Sequence, residues 1–465
     1  MGQLQDILYS HAPHGIQNAL VSVYNLIAYR GRNSGKYHEF LKQYKANKNL
    51  SLQELKDIQS KKYTEFISYA IANSKYYKHA FSKIESPETL ENIQLLPIIN
   101  KEVLRQNIHD VYTIKKSEGS IAKTGGTTGK SLEVLYLLED SRERHAILDY
   151  FRHNFGYRLG KKTAWFSGKN LLNQKDINKN RFWKTDYVYK VRYYSTFHIH
   201  SKYLKYYIEN LIHFKPEYFV GFPSTMYEIA KYGMQHNIEF PAHVITAIFP
   251  TAETITTEIR TVLEGYFKTK VYNQYASSEG APFIIECKKG NLHLELQSGV
   301  FEVLDDNNKP TTNGRLVVTP FNTRGTPLIR YDIGDQIELD DPTAACTCGN
   351  NNPLVKRILG RISDYIYSEE KGKVNLGNIS NCLKGVTGVV RFQIQQHVLD
   401  KLVVLIEKDD KTFTKKDEQV FLKNLKDRVG EQITITLKFT DNIPVEKSGK
   451  YRLIKNSIKT KIEVT

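Results

Sequence analysis

The segment Ala122-Lys123-Thr124-Gly125-Gly126-Thr127-Thr128-Gly129-Lys130-Ser131 governs the reading of the whole chain. Between 124 and 130 it holds three glycines, three threonines and one lysine. Glycines let backbone N–H groups close on a phosphate, and hydroxyls add further donors. A Walker A loop would need glycine at Thr124, because Gly125 stands only four residues before Gly129. The segment is therefore expected to bind phosphate in a different way; the plain alternative is a flexible polar turn.

Around this segment the pattern alternates. Strand-like runs lie at 163–167, 187–194, 218–221, 244–249, 270–275, 299–304 and 315–319. Helical runs lie at 201–213, 224–236 and 254–267, which predicts βαβ units and a largely parallel sheet. From about 290 the strands crowd together without helices, as in a small barrel-like part. Residues 1–115 read as mostly helical, with Ser51 and Glu54 spaced as a capping box. Beyond 361, strands at 389–395, 402–408 and 433–439 and a helix at 412–429 form a small α+β unit. The expected fold class is α/β, with a large multi-subdomain N-terminal domain (1–360) and a C-terminal α+β lid (361–465).

Composition narrows the class. The chain has 465 residues, 40% hydrophobic and 25% charged, which suits a large folded core and excludes a disordered or disulfide-stapled chain. The net charge of +16 invites polyanions, but the lysines are scattered in pairs such as Lys61-Lys62 and Lys415-Lys416, and no nucleic-acid-binding motif accompanies them. Nucleic acid is not expected as a partner. No run reaches the ~18 apolar residues that a membrane span needs. Leu20, Val21, Tyr24 and Ile27, near Arg30 and Arg32, are read as a helix packed on the large domain, with weak contact to an anionic bilayer as the alternative. Four unevenly placed cysteines fit a reducing compartment, so the cytoplasm is expected.

Four further segments follow in order: Tyr275-Ala276-Ser277-Ser278-Glu279-Gly280, Pro327-Leu328-Ile329-Arg330-Tyr331-Asp332-Ile333-Gly334-Asp335, Gly360-Arg361-Ile362-Ser363-Asp364, and Pro444-Val445-Glu446-Lys447-Ser448-Gly449-Lys450-Tyr451-Arg452. With the loop at 124–130 they resemble the five motifs of the adenylate-forming superfamily. The stretch 275–293 and Arg330 look like phenylacetate–CoA ligases, and 215–224 looks like the capsular-polysaccharide branch called CapK. The resemblance covers roughly 85–456.

The resemblance implies roles. Thr124, Gly125, Gly126, Thr127, Thr128, Gly129 and Lys130 would hold the β- and γ-phosphates of ATP. Glu279 would hold Mg²⁺, a hard cation that takes oxygen ligands. Tyr275 and Ser278 would lie at the nucleotide, Asp335 would accept the ribose hydroxyls, and Arg361 would also reach the ribose. Lys450 would meet the charge developing at the α-phosphate. Ala252 and Glu253 are a looser match to the loop beside the adenine. Three positions depart from the family: Ala276 stands for glycine, Asp332 for arginine, and Ser363 for the first aspartate of the hinge motif. The last predicts modified domain switching.

A separate set is Cys287, His293, Cys346 and Cys348. Three thiolates and one imidazole make a closed tetrahedral set for structural zinc. Buried cysteines with a core histidine are the alternative.

The expected function is activation of a small carboxylic acid by ATP as acyl-AMP, followed by transfer to the thiol of CoA. The CapK-like features make an amine on a sugar the second expected acceptor, in surface-polysaccharide tailoring. A non-catalytic nucleotide-binding relative is the rival of another class.

Overall fold

Ser51 starts the helical part as its spacing requires. Its hydroxyl accepts from the Glu54 backbone at 3.3 Å, and the Glu54 carboxylate accepts from the Ser51 N–H at 2.7 Å. The computed structural model describes residues 9, 12–123, 132–169, 171–361, 365–376, 379, 381–383, 385–446 and 450–458. The expected phosphate loop (124–130), Ile362, Ser363 and Asp364 of the hinge motif, and residues 447–449 lie outside the described residues. The helices of the N-terminal part are α1 (His14–Arg32), α2 (Tyr37–Ala46), α3 (Leu52–Asn73), α4 (Lys75–Ala80), α5 (Lys101–Gln106) and α6 (Ile108–Val111).

The chain forms two units. One comprises Met1–Leu26, Leu159–Val271 and Leu359–Thr465; the other comprises Ile27–Arg158 and Tyr272–Ile358. In the second unit, β1 (Ser120–Lys123) and β2 (Glu133–Tyr136) pair antiparallel, with Lys123 opposite Glu133. The helix α7 (Leu138–His153) follows.

The first unit carries a five-stranded sheet of β3 (Thr163–Ser167), β4 (Trp183–Asp186), β5 (Val191–Ser195), β6 (Tyr218–Gly221) and β7 (Ala247–Pro250). Its order is β4-β5-β3-β6-β7, parallel except for the edge strand β4. The short helix α8 (Gln174–Asn178) precedes β4, and α9 (Ser201–Phe214), α10 (Pro223–Gln235) and α11 (Thr257–Phe267) follow β5, β6 and β7. Phe166, Tyr207, Phe219, Met226, Ile248 and Phe267 fill the core between them.

The run expected as one strand at 187–194 is broken. Asp186 accepts the backbone N–H groups of Val188 (2.9 Å) and Tyr189 (3.1 Å), and Lys190 takes φ 55°, so 187–190 is a turn between β4 and β5. The strand expected at 270–275 is only β8 (Gln274–Tyr275), with an isolated bridge from Val271 to Ile248.

In the second unit, β8 joins β9 (Ile284–Glu286), β10 (Leu292–Leu294), β11 (Gly299–Leu304), β12 (Asn313–Pro320), β13 (Tyr331–Leu339) and β14 (Leu354–Arg361), the last running past the unit's end. The order is β11-β12-β13-β14-β10-β9-β8. Leu55, Tyr63, Phe66 and Ile67 of α3 pack with Val318 and Ile337 of this sheet. Arg330, at φ 45°, is clamped to Glu302 at 2.7 Å and donates to the carbonyls of Gln94 (3.0 Å) and Leu96 (2.6 Å).

The C-terminal part of the first unit begins with the hairpin of β15 (Tyr365–Ser368) and β16 (Gly372–Asn375). A four-stranded sheet follows, from β17 (Val389–Val398), β18 (Lys401–Lys408), β19 (Thr434–Phe439) and β20 (Ile454–Asn456), in the order β19-β18-β17-β20. Helix α12 (Lys415–Val429) packs Phe421 and Leu425 against Phe392, Ile394 and Val404. The molecule is therefore mixed α/β, as expected.

Helix α1 packs on the edge of the five-stranded sheet, but through its polar face. Gln17, Asn18, Ser22 and Asn25 are buried, and of the apolar residues expected to pack only Val21 is, against Val191 and Tyr193, whereas Leu20, Tyr24 and Ile27 are exposed. Asn18 accepts from the Thr185 N–H (3.1 Å), Ser22 from the Tyr187 N–H (2.9 Å), and Asn25 donates to Asp186 (2.8 Å) and Tyr193 (3.0 Å). Beneath them Lys184, fully buried, reaches Asp176 at 2.6 Å and Gln17. His14 Nδ1 lies 2.9 Å from the other oxygen of Asp176. Burial holds Lys184 below the ordinary lysine range. Burial alone would raise Asp176, but the Lys184 ammonium and the Asn173 backbone hold it low.

Asp176→Ala strands the Lys184 ammonium and is expected to cost ~3–5 kcal/mol of stability, read as a lowered urea midpoint. The pair Asp176→Leu with Lys184→Met, which removes both charges, is expected to restore most of that loss.

Candidate active site

Within the first unit, three of the predicted segments converge at the carboxyl ends of β6 and β7, where parallel sheets place their ligands. Ala252 follows β7 with φ 66°, a backbone region alanine rarely occupies. The strain turns Glu253 onto the start of α10. Its carboxylate accepts from the Ser224 N–H and hydroxyl, each at 3.0 Å, and from the Tyr451 N–H at 3.3 Å. Burial raises the Glu253 pKa, while Ser224, Tyr451 and the charge of Lys450 oppose the rise. Gly360, at φ 86°, approaches the same loop: a Cβ there would lie 2.6 Å from Thr254 Oγ1. Arg361 is exposed at the end of β14. Ala252, Glu253, the Gly360-Arg361 pair and Lys450 are thus neighbours in one unit.

The C-terminal segment carrying Lys450 is anchored further. The Tyr451 hydroxyl donates to the Phe392 carbonyl, and the Arg391 guanidinium stacks 5.0 Å from the Tyr451 ring. The Lys231 ammonium on α10 donates to the carbonyls of Val389 (2.6 Å) and Val390 (3.2 Å) on β17.

Within the second unit, Tyr275 and Asp335 meet although sixty residues separate them. The Tyr275 hydroxyl donates to Asp335 Oδ2 at 2.6 Å, and Asp335 is buried. Asp332, the departure from arginine, pairs with Arg315 at 2.6 Å and accepts from the Gly334 N–H at 3.0 Å. It thereby shapes the irregular register of β13 ahead of Asp335.

Glu279 is 5% exposed, and among the described residues none donates a hydrogen bond to its carboxylate. The backbone around it is braced by two residues that motif reading misses. Arg144 on α7 donates to the carbonyls of Ser277 (3.3 Å), Gly280 (2.8 Å) and Ala281 (3.0 Å). Tyr136 on β2 donates to the Ser278 carbonyl at 2.9 Å. Burial pushes the Tyr136 phenol up to about 12, with Glu279 adding to the rise, so it stays a donor. Gly280 takes φ 104°, and a Cβ there would lie 2.3 Å from Thr323 Cγ2. Ser278 itself is exposed.

With this geometry established, known proteins show where the chain belongs. A family model of the CapK C-terminal domain matches residues 366–457. Protein CapK of Staphylococcus aureus is 34% identical over 460 residues, covering 97% of this chain and 99% of its own. The chain belongs to the CapK family. Among solved structures, this CapK-family chain resembles 2-hydroxyisobutyryl-CoA ligase in its postadenylation state with R3-HIB-AMP (TM-score 0.70, 16% identity, 90% of this chain and 93% of that one). It also resembles the GH3.15 acyl acid amido synthetase (TM-score 0.55, 13% identity, 88% and 93%). Its fold is that of the adenylate-forming ligases.

The cysteine set also assembles in the CapK-family chain. The ligand atoms of Cys287, His293, Cys346 and Cys348 lie within 4.8 Å of one another. Cys287 follows β9 and His293 sits on the paired β10, while Cys346 and Cys348 come from the loop before β14. The Sγ atoms of Cys287 and Cys346 are 3.6 Å apart, and Cys348 Sγ is 3.5 Å from His293 Nε2. His293 Nδ1 is 3.2 Å from the Asn352 carbonyl, which turns Nε2 toward the sulfurs. Burial holds the imidazole below its ordinary range and therefore neutral, the form that ligates metals. No helix of the described residues is long and apolar enough to cross a membrane.

Proposed function

We propose that this CapK-family chain is an AMP-forming ligase. It activates a small carboxylic acid with ATP as acyl-AMP, releases pyrophosphate, and passes the acyl group to CoA. The observation that carries the reading is the 2.6 Å bond joining Tyr275 to Asp335, which unites two family motifs beside the braced loop of Glu279. The adenylate-forming fold supports it.

The chemistry asks the residues to bring two anions together. A carboxylate oxygen of the acid attacks the α-phosphorus, and the bond to pyrophosphate breaks. The charge that builds at the α-phosphate needs preorganised cations and donors. Lys450, on a segment fixed through Tyr451, supplies the cation. Asp335, oriented by Tyr275, accepts from the ribose hydroxyls, and the family resemblance alone assigns Arg361 to the ribose as well. Thr124, Gly125, Gly126, Thr127, Thr128, Gly129 and Lys130 bind the outer phosphates. Ser278 lies at the nucleotide, and Ala252 and Glu253 near the adenine. Mg²⁺, held by Glu279, neutralises phosphate charge when bound. Residues 1–360 bind ATP and the acid, and residues 361–465 act as the lid that exchanges faces between half-reactions.

A second reading changes the acceptor to an amine on a sugar in surface-polysaccharide biosynthesis. It is favoured by CapK-family membership and by a shared fold with an acyl acid amido synthetase.

ATP–pyrophosphate exchange across aryl, fatty, hydroxy and amino acids is expected to light up with one class. The acid so named, offered with CoA or with amino sugars, gives a thioester or an amide. No exchange in folded protein that binds ATP would favour a non-catalytic nucleotide-binding relative. Lys450→Ala is expected to slow single-turnover adenylation by roughly 10²–10³-fold, the scale of losing one transition-state donor, with little change in ATP affinity. An unchanged rate would remove Lys450 from the chemistry.

The Cys287, His293, Cys346 and Cys348 set holds structural zinc in this proposal, since four protein ligands leave no position open for catalysis. Elemental analysis of purified protein is expected to find one zinc per chain. Cys346→Ser is expected to lose the metal and lower the melting temperature together. Native protein free of zinc, and equally stable in chelator, would refute the assignment.

A further inference from the structure

We infer that α1 lies on the surface of an anionic lipid bilayer, with its apolar stripe in the interface between headgroups and acyl chains. Soluble proteins ordinarily bury the apolar face of a helix and expose the polar one. Here the arrangement is inverted. Gln17, Asn18, Ser22 and Asn25 are buried around a single apolar contact, Val21 against Val191 and Tyr193, while Ile16, Leu20, Val23, Tyr24 and Ile27 are exposed, from 46% at Leu20 to 67% at Ile27. At 3.6 residues per turn these five fall in one arc of about 100°. Ala19 and Ala28 are exposed beside them.

The inversion is built, not incidental. The buried polar face is tied to β4 and the turn after it by the bonds of Asn18, Ser22 and Asn25. Rolling the helix to hide the apolar stripe would break these bonds and expose the Lys184–Asp176 pair beneath. The same turn leaves Tyr187 (64%) and Val188 (47%) exposed beside the helix.

Charge selects the occupant. Helix α1 contains no acidic residue, and its exposed last turn carries Arg30. The chain as a whole is +16. A second copy would meet like charge, whereas anionic headgroups meet opposite charge. The helix is amphipathic, 19 residues long, and not apolar enough to span, the type that lies in the plane of the interface.

The test is co-sedimentation of the full chain with vesicles of phosphatidylcholine alone or mixed with phosphatidylglycerol, at low and high salt. The protein is expected to sediment with the mixed vesicles, and Leu20→Glu with Ile27→Glu is expected to weaken this by about tenfold or more. Val398→Glu, at an exposed apolar residue far along the chain, controls for added negative charge and is expected to bind like the parent. Tyr24→Trp reports insertion directly: its emission, over the background of Trp165 and Trp183, should shift to the blue with mixed vesicles. Absence of sedimentation, or equal binding by the double variant with an unchanged melting curve, overturns the inference. So does a concentration-dependent dimer that the double variant abolishes, which assigns the stripe to a second copy.

Discussion

Glu253 bonds to a segment that lies 198 residues further along the chain and joins it to the start of α10. Its carboxylate accepts from Ser224 at the start of α10 and from Tyr451 near the C-terminus. A carboxylate drawn out of water must be compensated by donors, each worth ~1.5–3 kcal/mol when the acceptor is charged. Neither segment alone supplies enough of them. The position of Lys450 therefore follows from the desolvation of a residue that need not take part in chemistry. The approach of Gly360 to Thr254 fastens the end of β14 to the same loop.

Much of this was legible before any coordinates. Helices α9, α10 and α11 repeat their apolar residues at helical spacing, and β3, β6 and β11 sit where the apolar runs lie, so local pattern and tertiary packing agree. The cysteine set was legible because thiols and imidazoles are scarce and chemically narrow. The turn at 187–190 was not, because one side chain, Asp186, captures two backbone donors in a run that otherwise alternates like a strand. Arg144 and Tyr136 were invisible for another reason: they act on carbonyls more than 130 residues away, and no local pattern encodes a backbone acceptor. The face that α1 presents was hidden likewise. Its periodicity predicts a helix, but only the buried charge of Lys184 decides which side turns inward.

The two groups of predicted residues come from different kinds of structure. Tyr275 and Glu279 come from a strand end and the turn after it, Asp335 from the middle of β13, and Glu253 and Lys450 from the loop after a parallel strand and a C-terminal segment. Asp335 is held by Tyr275, the backbone around Glu279 by Arg144 and Tyr136, and the segment of Lys450 by Glu253. A scaffold of this kind fixes the activating half of a reaction and leaves the acceptor to a small number of pocket residues, which is how one fold serves thiol and amine chemistry alike.

The threading of the chain through its two units has a consequence for biosynthesis. The first unit draws on three separated stretches, the last of which starts at Leu359. Lys231 of α10 finds its acceptors on Val389 and Val390, nearly 160 residues later. A ribosome delivering the N-terminus first exposes Lys231 and the start of α10 long before their acceptors and donors on the last stretch emerge. Closing such distant contacts costs loop entropy before it returns any stability, and unpaired apolar surface is vulnerable meanwhile. The stretch 159–271 brings nearly all of its own core, so what waits for the last stretch is the cover over Lys231 and Glu253. Truncation anywhere before β17 would leave a fragment with no route to the native first unit.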